Sequence, residues 1–424
     1  MKKVLLLTYY FEPANAVATP RIMSWANNFK KHNLSPTIVT RHFYGNEFEW
    51  KDFISNCKKP LLTEKNENYE LYQLPYEIKR PLILQKNKFV SKAYYFNKFI
   101  NGNFDLEIDA RSTLMVQSRK LLIDNKFDFI LVSAPPLNLI KMAAELSREF
   151  NIPFIVDFRD IWNNLLTSKD KMKFNLRTRF INYIQEFYLK KWLKKCSLVT
   201  SVSPALLEQV QRIYTGKTLE ITNGFEEDKF SVIRKIKPSE THFTFSSIGT
   251  IYPMQDISIL LEGLKKFYKQ VEANHDFQLN FIGINAVPEV AKKIEEALFM
   301  YKPLLTSKLS REEAFRYYGN SHVLYKSAWK THKGMYSAKI FEYIGAYRNI
   351  IIAPGDNDVV ENLILDAGLG HVANTVDEFV AILQNLYAEW RLTKTLKMNA
   401  MQDKISYYSR EHQAALLAEC ILNV

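Results

Sequence analysis

The stretch Phe243-Thr244-Phe245-Ser246-Ser247-Ile248-Gly249 decides the fold, because it reads as a fresh β-strand after a polar, charged run over 230–241 that holds Lys235, Lys237, Pro238 and Ser239. Such a break in composition marks a domain boundary. Downstream, a helical pattern over 257–268 is followed by a strand at 278–282, a helix at 288–300, a strand at 322–326, a helix at 337–346 and a strand at 349–353. Upstream the same alternation has already run once. Strands are expected at 3–8, 37–40, 129–133, 154–157, 198–201 and 219–222, with helices at 20–31, 138–149 and 177–194. Strands alternating with helices indicate a parallel sheet covered on both faces, so the fold class is α/β with two doubly wound Rossmann-like domains, 1–235 and 236–404. The stretch 43–103, rich in charge and aromatics, reads as an irregular insertion rather than part of the sheet. In such folds a ligand sits outside the carboxyl ends of the strands, here expected in a cleft where the domains face each other.

Length and composition agree with this division. The 424 residues suit two domains of roughly 200 residues each, and a 47% hydrophobic content can fill both cores. Three scattered cysteines, Cys57, Cys196 and Cys420, lack disulfide or metal spacing and point to a reducing compartment. Met1-Lys2-Lys3 leads into only a short apolar run and reads as a first strand rather than a signal peptide, and no apolar stretch approaches the length needed to span a bilayer. The net charge of +12 favours an anionic partner. Nucleic acid is not expected, since no recognised binding motif accompanies the charge.

Several segments carry chemistry. In Ser337-Ala338-Lys339-Ile340-Phe341-Glu342-Tyr343-Ile344-Gly345 a cation and a carboxylate lie three residues apart at a helix start and share one face. Lys339 with the first-turn N–H groups can hold phosphate oxygens while Glu342 accepts both hydroxyls of a ribose; a solvated Lys/Glu pair is the plain alternative. Gly249-Thr250 opens the second domain with a turn that suits an anion. Glu12-Pro13-Ala14-Asn15-Ala16-Val17-Ala18-Thr19-Pro20-Arg21 follows the first strand, and its small residues, with Pro13, Asn15 and Ala16 foremost, would let backbone approach a ligand. Asp157-Phe158-Arg159-Asp160-Ile161-Trp162 follows another strand and can bind hydroxyls or act as base and orienter, or else close a turn by an ion pair. No cluster has metal-ligand spacing, so no metal and no cofactor is expected.

With these residues in hand, the chain resembles family 4 glycosyltransferases of the GT-B fold, and among them the bacterial branch that builds surface polysaccharides. The resemblance rests on Thr222-Asn223-Gly224-Phe225 with Glu226-Glu227-Asp228-Lys229-Phe230, similar to the hinge before the second domain, on Lys339-Ile340-Phe341-Glu342-Tyr343, and on the Asp-x-Arg-Asp-x-Trp run at 157–162. Tyr408-Ser409-Arg410-Glu411 and the amphipathic helix after it resemble the segment, here 405–424, that crosses back to the first domain. The resemblance implies retaining transfer of a sugar from a nucleoside-diphosphate sugar to a glycan or polyprenyl-linked acceptor in cell-envelope polysaccharide synthesis, without a metal. It implies catalytic roles for Asp157, Arg159 and Asp160. Donor contacts would come from Lys339, Glu342, Gly249, Thr250, Lys326, Leu309 and Ser337, with Lys308-Leu309-Ser310 facing the base. The chain departs from the family where a first glutamate is replaced by Gly334, a phosphate arginine by Thr250, and a nearby lysine by Met254, Gln255 or Asp256. Lys326, Lys330, Lys333 and Lys339 are then the candidates to meet the phosphate charge.

Two basic, aromatic stretches, 79–98 and 169–195, gain a meaning from the same resemblance: attachment to an anionic membrane, chiefly through 169–195, which would place the protein in the cytoplasm on the inner face of the membrane; aromatics packed in the core beneath a solvated lysine face are the plain alternative. Two other readings remain open: a sugar-nucleotide epimerase or hydrolase of the same fold, and a catalytically idle subunit that binds a partner transferase.

Overall fold

The structure, a computed structural model, describes residues 1–47, 50–77, 87–105, 111–160, 176–271, 276–329 and 333–424. It divides into two units, Met1–Thr222 with Glu411–Val424, and Asn223–Arg410. Among the described residues no helix is long and apolar enough to cross a membrane.

The first unit is built on eight strands: β1 (Lys2–Leu7), β2 (Leu34–Arg41), β3 (Leu62–Lys65), β4 (Glu70–Leu74), β5 (Phe129–Ala134), β6 (Phe154–Phe158), β7 (Leu198–Ser201) and β8 (Thr218–Glu220). They lie in the order β3-β4-β2-β1-β5-β6-β7-β8, and every pairing is parallel except β3 with β4. Val4, Leu5, Leu6 and Leu7 in β1 are all fully buried, as a strand covered on both faces requires. Period two divides them. Val4 and Leu6 join a core with Ile22 and Trp25 of the helix Thr19–Asn28 and Ala414, Leu417, Ala418 and Ile421 of the helix Arg410–Leu422, while Leu5 and Leu7 join the core of the other face.

The reading of 43–103 as an insertion outside the sheet is corrected. This stretch contributes β4, which pairs in parallel with β2 over Thr37↔Glu70 to Arg41↔Leu74, and β3, which pairs antiparallel with β4 at the edge. The outer edge of β2 would otherwise leave its backbone groups unpaired, and Leu71, Gln73 and Leu74 are buried against it. All four residues of β3 are exposed, so the hydrophobic pattern carried no sign of that strand.

In the second unit β9 (Phe243–Ile248), β10 (Phe277–Ile282), β11 (Leu304–Leu305), β12 (Val323–Lys326), β13 (Asn349–Ile352) and β14 (Gly370–Val372) form an all-parallel sheet in the order β11-β10-β9-β12-β13-β14. Chain order runs outward from β9 in one direction and from β12 in the other. The reversal lies between these two, paired through Val323↔Phe245 and Leu324↔Ser246, so their carboxyl ends, Gly249 and Lys326, flank the switch point. The sequence pattern missed β11 and β14, which have only two and three residues and no alternation to read.

Candidate functional site

At the switch point of the second unit, glycine backbone meets lysine side chains. Gly249 has φ +102°, and a Cβ built on it would lie 3.1 Å from Lys339 Cε. Gly283, just after β10, has φ +83°; a Cβ there would stand 3.8 Å from Gly249 Cα and 4.0 Å from Lys308 Cα. Both conformations favour glycine, and both positions keep the floor bare. Three cations converge above it. Lys326 is largely buried, and burial together with the neighbouring Lys339 ammonium lowers its pKa to about 8. Lys308 is pushed down for the same two reasons, in the same order.

Lys339 stands in the first turn of the helix Ala338–Gly345, which forms because Ile340, Phe341, Tyr343 and Ile344 all turn into the core. The N-cap, Ser337, makes no side-chain cap, and its Oγ is buried without a partner among the described residues. One turn on, Glu342 is buried and its Oε2 accepts from Tyr318 Oη at 2.7 Å and Lys339 Nζ at 2.9 Å. Its Oε1 faces Arg311 at 3.5 Å, and Arg311 is also paired with Glu226 at 2.6 Å. Burial alone would raise the pKa of Glu342, but the Lys339 and Arg311 cations outweigh it and hold the carboxyl below its ordinary value. Tyr343 locks the helix to the strand ends: its hydroxyl accepts from Ile248 N at 2.8 Å and donates to Tyr325 O at 3.1 Å. The turn before Arg311 is set by a capping box between Ser310 and Glu313, which leaves Leu309 half-buried beside it. Thr250 follows Gly249, half-exposed.

The remaining expected cations and departures fall out differently. Lys333 donates to Asp356 O and to Asn357 O at 3.3 Å, so it is held by backbone, and Lys330 lies outside the described residues. Gly334 has φ +67°, and its N–H donates to the Asp358 carboxylate. At the turn after Gly249, Gln255 is buried and bonds Ser327 O at 2.7 Å.

In the first unit, strand register assembles a polar hub. Ser133, Asp157 and Thr200 are aligned across β5, β6 and β7. Asp157 is fully buried; Oδ2 accepts from Ser133 Oγ at 2.9 Å and Arg21 Nε at 3.1 Å, and Oδ1 from Thr200 Oγ1 at 2.8 Å and the terminal nitrogen of Arg21 at 2.7 Å. Arg21 also donates to Ile221 O and Thr222 O, both at 2.8 Å. Four donors from within the unit thus occupy both oxygens of Asp157. Arg159 N–H donates to Ala134 O at 2.8 Å, its guanidinium lies 5.5 Å from the Tyr10 ring centroid and donates to Pro135 O, and its Nε is buried without a partner among the described residues. Asp160 is exposed at the next position, and Trp162 lies outside the described residues. In the loop after β1, Pro13 and Asn15 are exposed and Ala16 half-buried.

The structure therefore gathers Gly249, Lys326, Ser337, Lys339 and Glu342 at one end of one sheet, and Asp157, Arg159 and Asp160 at one end of the other. Sequence reasoning missed Tyr318, Arg311 and Gly283, quoted Tyr343 without a role of its own, and treated Arg21 only as the end of a loop. No spacing signal links these residues, which come from separate elements; only the glycine just after a predicted strand, Gly283, offered a hint.

No family model matches the chain, and no curated protein matches it. Among solved structures it is similar to a glycosyltransferase from Rickettsia africae (13% identity, TM-score 0.60, covering 100% of this chain and 98% of that one). It is also similar to HepE from Anabaena in complex with UDP (13%, 0.59, 100% of each) and to sucrose-phosphate synthase from Thermosynechococcus elongatus (12%, 0.59, 100% and 99%). At these identities the likeness establishes the GT-B fold over the full chain.

Proposed function

We propose that this chain is a retaining glycosyltransferase of family 4 type that takes a sugar from a nucleoside-diphosphate donor. The observation that carries the reading is the arrangement at the second unit's switch point: Glu342 one turn inside the helix, Lys339 at its mouth, and Gly249 bare beneath the Lys339 side chain. A ribose offers two hydroxyls to the Oε1 side of Glu342, which has only the 3.5 Å approach of Arg311, and a diphosphate meets Lys339 and the uncapped first turn of the helix. Leu309 lies beside the base, and Thr250 and Ser337 line the phosphates. Electrostatic stabilisation of the departing diphosphate is the main contribution such a site makes to transfer. HepE, one of the structural neighbours, has been solved with UDP and with UDP-glucose, which supports a nucleotide-sugar donor here.

On the acceptor side, Arg159 and Asp160 are the groups we assign to the reacting hydroxyl. Asp157 orders the strand ends behind them, since its oxygens are already occupied. The acceptor we infer is an envelope glycan or polyprenyl-linked glycan met at the inner face of the cytoplasmic membrane. Support comes from two adjoining helices, Lys88–Ile100 and Leu176–Leu193, whose Phe96 and Phe180 rings stack at 6.4 Å. Phe89, Phe96, Leu176, Phe180, Tyr183 and Phe187 are exposed there among Lys88, Lys92, Arg177, Arg179, Lys190 and Lys191.

A thermal-shift series with UDP, GDP, dTDP and CMP tests the donor reading, because a ligand that binds the folded state alone raises apparent stability. One nucleotide is expected to raise Tm, and Lys339→Ala to abolish that rise; a Lys339→Ala protein with undiminished affinity would remove the assignment. A second reading, an idle subunit, draws on Gly334, which is in the left-handed region and offers no carboxylate to a donor sugar. Measurable donor hydrolysis or transfer excludes it.

A further inference from the structure

We propose that Lys326, with Lys308, completes the phosphate-binding cluster around Lys339, and that nucleoside-diphosphate binding at this site is consequently coupled to uptake of a proton. The inference rests on the donor reading above and deepens it. Its starting point is a local charge imbalance. Lys339 is already paired with Glu342 at 2.9 Å, and Arg311 is shared between Glu226 and Glu342, so neither cation is wholly available to a dianion. Lys326 is different. Among the described residues it has no salt bridge, and the charged group that acts on it is another cation, Lys339, while Glu342 stands beyond that cation and Lys308 approaches from the turn after β11.

Burial, together with the Lys339 ammonium beside them, disfavours the charged forms of Lys326 and Lys308 in the empty site. The position of Lys326 makes this specific, since it ends β12 beside β9 at the strand reversal, where Gly249 and Gly283 keep side chains out. A diphosphate seated over that floor supplies the negative charge that this arrangement lacks. The negative charge then offsets the burial and like-charge repulsion that hold the Lys326 pKa down, and its charged form is favoured.

The sign follows directly. With Lys326 titrating at about 8 in the empty site, only part of the population carries the charge above that pH, and binding must first add the proton. Affinity is steady below pH 7 and falls as pH rises through 8, by about tenfold between pH 7 and 9 if binding restores the usual lysine pKa.

Isothermal titration calorimetry of the full chain with the nucleoside diphosphate that gives the largest thermal shift among UDP, GDP and dTDP, in two buffers of different ionisation heat, reads this. The expected result is uptake of about half a proton at pH 8. Lys326→Met is expected to weaken binding at least tenfold at pH 7, and Lys326→Arg to keep most of the affinity while removing the proton uptake, with folding of both checked by Tm. Undiminished binding by Lys326→Met, or proton uptake unchanged in Lys326→Arg, overturns the inference and leaves the donor reading standing. Failure of all three nucleotides to bind the wild-type chain overturns both.

Discussion

At the scale of single residues, the chain places its charges by what surrounds them. Asp157 and Glu342 both looked, as letters, like groups waiting for a substrate. Both lie in networks: Asp157 with four donors, Glu342 with Lys339, Tyr318 and Arg311. For Asp157 the Arg21 ion pair is fully buried, with side-chain exposures of 3% and 0%, so neutralising one partner strands the other. Asp157→Asn is expected to cost about 3–5 kcal/mol of stability, read as a lower urea midpoint. A change under about 1 kcal/mol would mean that water reaches the pair. The sequence showed the cluster Asp157, Arg159, Asp160 but not that its first member turns inward. That depends on Ser133 and Thr200 being in register with it, and on an arginine 136 positions away along the chain.

At the scale of elements, the helix after Tyr408 shows how much a periodic pattern can specify. Ala414, Leu417, Ala418 and Ile421 follow the i, i+3, i+4, i+7 spacing of one helical face, and all four are fully buried in the core that includes Ile22 and Trp25. Leu417→Ala is therefore expected to cost about 2–5 kcal/mol, measured by denaturant unfolding of the full chain. The helix Ala338–Gly345 is legible in the same way, through its apolar positions, and so was its Lys339 to Glu342 pair. Its attachment was not. Tyr343 fixes it to Ile248 and Tyr325 across two strands, contacts that no local propensity encodes. Edge strands such as β3, with every residue exposed, lie at the opposite extreme, since backbone pairing alone defines them.

At the scale of the whole molecule, the chain passes from one unit to the other at Thr222–Asn223 and returns at Arg410–Glu411. Arg21 donates to Ile221 O and Thr222 O, and Gln413 accepts from Thr222 N at 2.9 Å, so the departing and returning segments are tied to one another within the first unit. The net charge of +12 bears on the surface at this scale. If the basic, aromatic face of the first unit meets an anionic bilayer, the chain co-sediments with phosphatidylglycerol vesicles at about 50 mM salt and much less at about 500 mM, since screening shortens the reach of charge. No co-sedimentation at low salt would remove membrane attachment. The sequence by itself determined the α/β class, the two doubly wound halves and the helix that carries Lys339 and Glu342, because hydrophobic period and strand-end position are local properties. Only the tertiary structure decided that the stretch 43–103 extends the first sheet, that Asp157 is consumed by its own neighbours, and that Lys308, Lys326 and Lys339 converge. Those outcomes depend on which distant strands pair and in what register, and on the burial and charge that the pairing then imposes.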